Sequence, residues 1–138
     1  MIVGQGDLEN EIKEKIAKHS LNDKVTVLGV RSDVAKLMAG ADIHIMPSHH
    51  EGFPVTLVEA QAIGLQSIIS DNISKEVDLG LNIVNFLSLK DNHDVWCDKI
   101  VKVQKDIKKI ENTLELLTDR GFDSKQNALK LQDLYLGK

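Results

Sequence analysis

The 138-residue sequence is poor in features that mark particular protein classes. It holds one cysteine, Cys97, so no disulfide can form within the chain, and such low cysteine content is typical of a reducing compartment. Arginine occurs only at Arg31 and Arg120, and the net charge is -4. This argues against non-specific nucleic-acid binding, because neutralising phosphates requires clustered Lys and Arg. No apolar run approaches the roughly 20 residues that span a bilayer.

The composition that remains is that of a soluble globular protein. With 42% hydrophobic and 28% charged residues, the chain resembles neither a disordered nor a membrane-spanning protein. Its first residues lack the charged and apolar regions of a secretory signal, so we expect a cytoplasmic protein. The length fits one domain with a sizeable core. Because no repeat or linker interrupts the sequence, we predict a single domain over 1–138.

Apolar segments alternate with amphipathic ones along the first 90 residues. We predict strands at Ile2-Val3, as a buried β-branched segment over 24–30, and over 42–48, 66–70 and 81–88. The intervening helices are predicted after Gly6, over 32–41, and over 54–64, the last with Pro54 in its first turn and Gly64 just past its end. This order is typical of a parallel α/β sheet with flanking helices, a Rossmann-like fold.

The sequence changes character after about residue 90. Residues 92–119 show helical periodicity without a strand pattern, and we predict two helices there rather than one long helix. A terminal helix follows, capped at Asp123 or Ser124. Its apolar face contains Ala128, Leu131, Leu134 and Tyr135.

Gly4 and Gly6 lie where a dinucleotide-binding fingerprint would begin. The third glycine of that pattern is replaced by Glu9, whose charge would repel a pyrophosphate at the start of the helix. The pattern therefore predicts a tight turn that needs positive φ, and not a site for NAD.

Four neighbouring residues, His44, His49, His50 and Glu51, are of types that bind zinc. On a strand and the turn after it their side chains would diverge, and no cysteine or H-E-x-x-H spacing accompanies them. We predict no metal site. A single histidine at the mouth of another site, His49 or His50, is the better interpretation.

Glu51 and Glu59 flank the start of a predicted helix. Pro54 restricts Phe53 to extended geometry, so the residues before it should form a loop leading into the helix. The free N–H groups of the first helical turn, with the helix dipole, would suit a diphosphate. Gly52 leaves room where a ligand approaches the backbone. Glu59 could then bind a ribose diol on one side, and Glu51 the group on the other side.

The same spacing has a second interpretation. Acids are common in first helical turns, so Glu51 could cap the helix while Glu59 faces solvent. Both interpretations predict the same helix, and only the first predicts a ligand.

Three segments resemble the donor-binding C-terminal half of the glycogen-synthase-like group 1 family of retaining glycosyltransferases. They are GQGDLENEIKEKI, VTVLGVRSDVAKLMAGADIHIMPSHHEGFPVTLVEAQAIGL and SDNISKEV, which together cover roughly residues 1 to 80. Glu51 and Glu59 match the family's pattern of acid, seven residues, acid. The later segment around Trp96 looks most like bacterial enzymes that build capsule or exopolysaccharide.

The resemblance implies one half of the two-domain GT-B fold and a nucleotide-sugar donor site, with a UDP-sugar as the expected donor. Glu51 would contact the donor sugar near the reacting carbon, beside the backbone of Gly52 and Phe53, and Glu59 would hold the ribose. No cofactor or metal is implied, because the helix dipole and basic side chains take the metal's role in this fold. The diphosphate would bind the amides of Val55, Thr56 and Leu57.

The resemblance assigns roles to three further residues. Val30 and Arg31 would lie against the nucleobase, read there mainly by backbone, and Glu76 would lie near the mouth of the cleft. The family's pyrophosphate-binding Arg and Lys and its N-terminal acceptor domain have no counterpart in the sequence. We therefore expect a fragment truncated at its N-terminus.

The expected parent enzyme transfers a sugar to a glycan or lipid-linked acceptor, and it could associate peripherally with the inner face of the membrane. The fragment alone is expected to be inactive. One alternative is that the chain is a catalytically silent nucleotide-sugar-binding module. Another is that it belongs to a sugar-nucleotide epimerase or a phosphorylase of the same fold, since one fold hosts several chemistries.

Overall fold

The computed structural model describes residues 1–107, 110 and 113–137. The chain divides into two compact units, 1–37 and 38–138, with the boundary inside the second helix. The single domain expected over the whole chain stays a prediction.

The first unit contains helix α1, Glu9–Lys18, and the start of α2, Val34–Ala39. Acids in the first turn of α1 and lysines in its last turn match the polarity of the helix dipole. Ile12 and Ile16 are half-buried on one face of α1, as their spacing predicts.

The prediction of a buried strand over 24–30 is wrong. Ile2 and Val27 form a single parallel bridge, Thr26 is exposed and Val30 keeps 69% of its surface exposed. Gly4 at φ +124° and Gly29 at φ +64° interrupt the extended backbone of both segments. The pairing therefore does not extend beyond this single bridge. The predicted N-terminal strand is likewise reduced to this bridge, whereas the tight turn predicted at Gly4 is confirmed.

The second unit contains a three-stranded parallel sheet in the order β1, Ile43–Met46, β2, Gln66–Ser70, and β3, Val84–Leu87. Ile45 pairs with Ile68 in one ladder, and Ile68 with Asn85 in the next. The parallel α/β sheet predicted from the alternation of segments is confirmed.

Helix α3, Val55–Ala62, connects β1 to β2, and a short 3-10 helix, Lys75–Val77, follows β2. The left-handed Gly64, at φ +72°, ends α3 as predicted. The centre of the core consists of four fully or almost fully buried side chains, Leu57, Ile69, Ile73 and Val77, against which Met46, Val84 and Phe86 pack.

Three helices complete the unit: α4, His93–Lys105, α5, Thr113–Asp119, and α6, Ser124–Leu136. The prediction of two helices before the terminal one is confirmed, although 108, 109, 111 and 112 lie outside the described residues. Asp123 caps α6 by accepting a hydrogen bond from the Gln126 amide at 2.8 Å. The predicted apolar face of α6 is exposed, with Leu134 at 73% and Tyr135 at 81%. Within the described part of the chain, no helix has the length and apolar character needed to cross a bilayer.

Candidate functional site

The candidate site begins in the loop 47–54, which leaves the carboxyl end of β1 and enters α3. The carboxyl ends of parallel strands share one edge of a sheet, where ligands bind in open α/β folds. The loop after β2 lies beside it, since the Asn72 side-chain amide donates to the His49 carbonyl at 3.3 Å. The backbone amide of Asn72 donates a second hydrogen bond, to Ser70 Oγ at 3.1 Å, which fixes the position of Asn72.

Pro54 occupies the N-cap position of α3, with ψ at 102°, and no side chain caps the helix there. The Leu57 amide donates to the Pro54 carbonyl at 3.0 Å. No hydrogen bond to the amides of Val55 and Thr56 is formed by any residue that the structure describes. The first turn of α3 therefore offers two free N–H donors at the positive end of the helix dipole.

Leu57 anchors this turn to the core, since its side chain is fully buried. Val55, by contrast, is 65% exposed, and Thr56 is exposed as well. The amide of Leu57 was expected to face a ligand with its two neighbours. It already has a partner inside the chain, and its role towards a diphosphate stays a prediction.

Gly52 lies in open space ahead of α3. A Cβ built there would meet no atom within 4 Å, and the residue has no positive φ. Neither backbone strain nor a neighbouring side chain therefore requires glycine at this position. The prediction that a ligand approaches the backbone here is compatible with that open space.

Glu51 is half-buried in the loop, and Glu59 is exposed on α3. The interpretation of Glu51 as a helix cap is wrong, because the cap position is Pro54 and no side chain bonds there. Neither carboxylate forms a salt bridge or a side-chain hydrogen bond with any of the described residues, 1–107, 110 and 113–137. Both acids are therefore available to bind a polar group from outside the chain.

Glu59 lines a groove of about 250 Å³ between α3 and α5. Its lining includes the apolar side chains of Val58 and Leu117 and a second carboxylate, Asp123. Its other lining residues are Ala62, Leu114, Thr118 and Phe122.

Phe53 and Phe122 stack on one another, with ring centroids 6.0 Å apart and an interplanar angle of 12°. Phe53 belongs to the loop ahead of α3, and Phe122 to the turn between α5 and α6. The stack therefore joins the candidate site to the C-terminal helices.

Three further predicted residues are exposed: His49 and His50 within the loop, and Glu76 on the 3-10 helix. No group of three or more potential metal ligands occurs among the residues described. The absence of a metal from the working protein stays a prediction.

His44 on β1 is paired with Ser67 on β2, and its Nδ1 lies 3.3 Å from Ser67 Oγ. Burial lowers the pKa of His44 below its usual value, because desolvation disfavours the charged ring. This histidine is therefore part of the strand packing, away from the exposed pair in the loop.

Val30 and Arg31 belong to the first unit. The Arg31 guanidinium binds Asp33 through two hydrogen bonds of 2.8 Å, from Nε to Oδ1 and from Nη2 to Oδ2. This hydrogen bond and the carboxylate charge raise the pKa of Arg31, while the bond to Arg31 lowers the pKa of Asp33. The guanidinium is thus already paired within the chain, and the contact of Val30 and Arg31 with a nucleobase stays a prediction.

Sequence reasoning missed two residues of the site, Asn72 and Phe122, and the buried Gln61 that bonds α3 to the segment around Val77. Asn72 had a usable signal, because it follows β2 and parallel strands end at one edge. Gln61 stands on a buried face of α3 that its neighbours Leu57 and Ala60 mark as apolar, but its partners lie 16 and 18 residues away. Phe122 gave no signal, since its partner lies 69 positions earlier.

The family model described as glycosyl transferases group 1 matches residues 1–116. The chain belongs to this family. A putative glycosyltransferase of Bacillus subtilis, EpsF, is 40% identical over 136 residues, which cover 98% of this chain and 35% of that protein. The UDP-Gal:alpha-D-GlcNAc-diphosphoundecaprenol alpha-1,3-galactosyltransferase of Escherichia coli is 28% identical, over 99% of this chain and 36% of the relative. The chain thus spans about a third of the length of these group 1 relatives.

Solved structures of glycosyltransferases share the fold. The pneumococcal O-GlcNAc transferase GtfA, solved with UDP and GlcNAc, aligns over 96% of this chain and 28% of its own, with a TM-score of 0.72 and 22% identity. Anabaena HepE, solved with UDP, aligns over 95% of this chain and 40% of its own, with a TM-score of 0.68 and 20% identity. The chain therefore has the architecture of part of a GT-B glycosyltransferase, as the resemblance implied.

Proposed function

We propose that this chain is the donor-binding part of a retaining glycosyltransferase, which transfers a sugar from a nucleoside-diphosphate sugar to a glycan or lipid-linked acceptor. The observation that carries the proposal is the start of α3. In sequence, the amides of Val55 and Thr56 fall between the carboxylates of Glu51 and Glu59, and none of these four groups has a partner among the described residues. A diphosphate with a hydroxyl-bearing group at each end is complementary to this arrangement.

Each part of the site then has a separate task. The amides and the helix dipole bind the diphosphate, whose charge increases as the bond to the sugar breaks, so this contact strengthens in the transition state. Glu59 accepts hydrogen bonds from the ribose diol. Glu51, on the loop, binds the sugar beside the reacting carbon and fixes its orientation. This assignment needs no metal and no organic cofactor.

The relatives support the nature of the donor and acceptor. Two solved neighbours hold UDP, and one of them also holds GlcNAc. The Escherichia coli relative is named for a UDP-sugar donor and an undecaprenol-diphosphate-linked acceptor. A UDP-sugar is therefore the first donor to test, and a lipid-linked sugar the first acceptor.

Isothermal titration calorimetry of the chain with UDP, GDP and ADP, and with the sugar nucleotides of each, tests the proposal. Saturable binding of one nucleoside diphosphate, strengthened or altered by its sugar, is expected. Thermal shift gives a second readout, because a ligand that binds the folded state raises its stability. If none of these ligands binds or stabilises the chain, the proposal is wrong.

A narrower function is proposed for the chain by itself, namely binding without catalysis. The observation that favours it is the share of the relatives that the chain covers, which is 35% of one curated relative and 36% of the other. A chain that binds the donor but neither hydrolyses it nor transfers its sugar, measured by release of UDP, is the expected result. Turnover by the chain alone would contradict this narrower proposal and leave the donor-site proposal standing.

A further inference from the structure

Phe122 is held rigidly by the turn between α5 and α6. Its amide donates to the Leu117 carbonyl at 2.8 Å, and the Gly121 amide donates to the Thr118 carbonyl at 3.0 Å. With Gly121 at φ +83°, these two bonds form the standard C-terminal motif in which a left-handed glycine ends a helix. On the other side, Asp123 caps α6. Both neighbours of Phe122 are therefore fixed by helix ends.

The loop that carries Phe53 has fewer restraints. Within the described residues, the tie between its backbone and the neighbouring loop is the 3.3 Å bond from Asn72 to the His49 carbonyl. A Cβ built at Gly52, next to Phe53, would meet no atom within 4 Å. The stack on Phe122 is therefore a restraint on Phe53, the residue before the buried Pro54 at the start of α3.

Burial alone does not account for the stack. Phe53 remains 48% exposed and Phe122 remains 40% exposed, so the pair adds little to the core of the unit. Phe122 also lines the groove that contains Glu59. One ring thus contacts the loop that follows Glu51 and lines the groove of Glu59, the two acids of the candidate site.

We propose that Phe122 is a positioning residue of the donor site, which holds Phe53 and the turn before α3 in the conformation that presents Glu51 and the first two helix amides to the donor. The inference rests on the proposed function and names a residue outside the 1–116 segment matched by the family model. An aromatic stack is worth about 0.5–1.5 kcal/mol beyond area burial, which corresponds to a change of about twofold to tenfold in an equilibrium.

The test compares Phe122→Ala, Phe122→Tyr and a control, Tyr135→Ala, in the 138-residue chain. Tyr135 is an aromatic residue on α6 that is 81% exposed, so its removal should change neither readout. The first readout is amide hydrogen exchange at Leu57, whose amide is hydrogen-bonded to the Pro54 carbonyl in the first turn of α3. The second is calorimetric affinity for UDP and for the UDP-sugar that the unsubstituted chain binds best.

Phe122→Ala is expected to raise exchange at Leu57 and to weaken UDP-sugar binding, each by about twofold to tenfold, with a smaller loss for UDP. Phe122→Tyr keeps the ring and should restore both. If exchange instead rises evenly across the sheet, or if the affinities for UDP and UDP-sugar fall equally, Phe122 is a stabilising residue and the inference is wrong.

The two proposals fail differently. An unsubstituted chain that binds no nucleotide sugar overturns the proposed function, and the donor-site role of Phe122 with it. An unsubstituted chain that binds a UDP-sugar, with Phe122→Ala unchanged in both readouts, overturns only the role of Phe122.

Discussion

Gln61 is fully buried and joins α3 to the last residue of the 3-10 helix, its Nε2 donating to the Val77 carbonyl at 2.8 Å. Its Oε1 accepts a hydrogen bond from the Leu79 amide at 2.9 Å. One side chain thereby satisfies two backbone groups of another segment in the core. It also fixes the helix that carries Glu59 relative to the turn that carries Glu76.

Gln61→Leu should lower the free energy of unfolding by about 1–3 kcal/mol, because the buried Leu79 amide and Val77 carbonyl lose their partner. Urea denaturation followed by circular dichroism measures the change. Gln104→Leu, at an exposed position of α4, is the matched control and should stay within about 0.5 kcal/mol of the unsubstituted chain. Equal effects of the two substitutions would contradict the role of the buried amide.

Glu59→Ala should weaken binding of the nucleoside diphosphate by about 1–3 kcal/mol, since hydrogen bonds to a charged group are lost. Calorimetry with UDP and UDP-sugar should show a similar loss for both ligands, because both carry the ribose. Glu115→Ala, at an exposed position on α5, controls for the loss of one surface charge. Unchanged UDP affinity in Glu59→Ala would exclude the ribose contact.

Glu51→Ala should affect the sugar-dependent part of binding. The expected result is a larger loss of affinity for UDP-sugar than for UDP, because the carboxylate is proposed to contact only the sugar. Glu51→Gln keeps the shape of the side chain and removes its charge. Its affinity for UDP-sugar should therefore lie between those of Glu51→Ala and the unsubstituted chain. The proposal for Glu51 does not survive an equal loss for UDP and UDP-sugar.

His44 should make stability depend on pH. Burial lowers its pKa in the folded chain, whereas the unfolded chain takes up the proton near the ordinary value of about 6.5. Below that pH the unfolded state binds more protons, so stability falls as pH decreases, until the folded-state pKa is passed. One such proton contributes a slope of at most about 1.4 kcal/mol per pH unit.

Denaturant unfolding between pH 5 and 7.5 measures the effect of His44. His44→Gln removes the titrating ring, so its stability should fall less steeply over this interval than that of the unsubstituted chain. Gln104→Leu, which changes an exposed side chain that does not titrate, should retain the original slope. Parallel profiles for His44→Gln and the unsubstituted chain would show that the buried ring does not control this dependence.

The sequence by itself determined the parts of the protein whose signals are local. The alternation of apolar and polar segments predicted the parallel sheet, and β2 was predicted at its observed bounds, Gln66–Ser70. Pro54 and Gly64 marked the ends of α3 to within one residue, because each acts through its own backbone geometry. The same locality led to the prediction that the start of α3 binds an anion, and the spacing of Glu51 and Glu59 carried the family resemblance.

Only the tertiary structure decided what depends on contacts between distant residues. The segment 24–30 has strand-forming residues, yet it forms one bridge, since glycines at positive φ end both paired segments. The choice between a capping and a free Glu51 depended on the hydrogen bonds that the folded loop forms. The contacts of Gln61 with Val77 and of Phe53 with Phe122 join residues 16 and 69 positions apart. No periodicity encodes such a pair, because it exists only where packing of the helices and sheet brings the two side chains together.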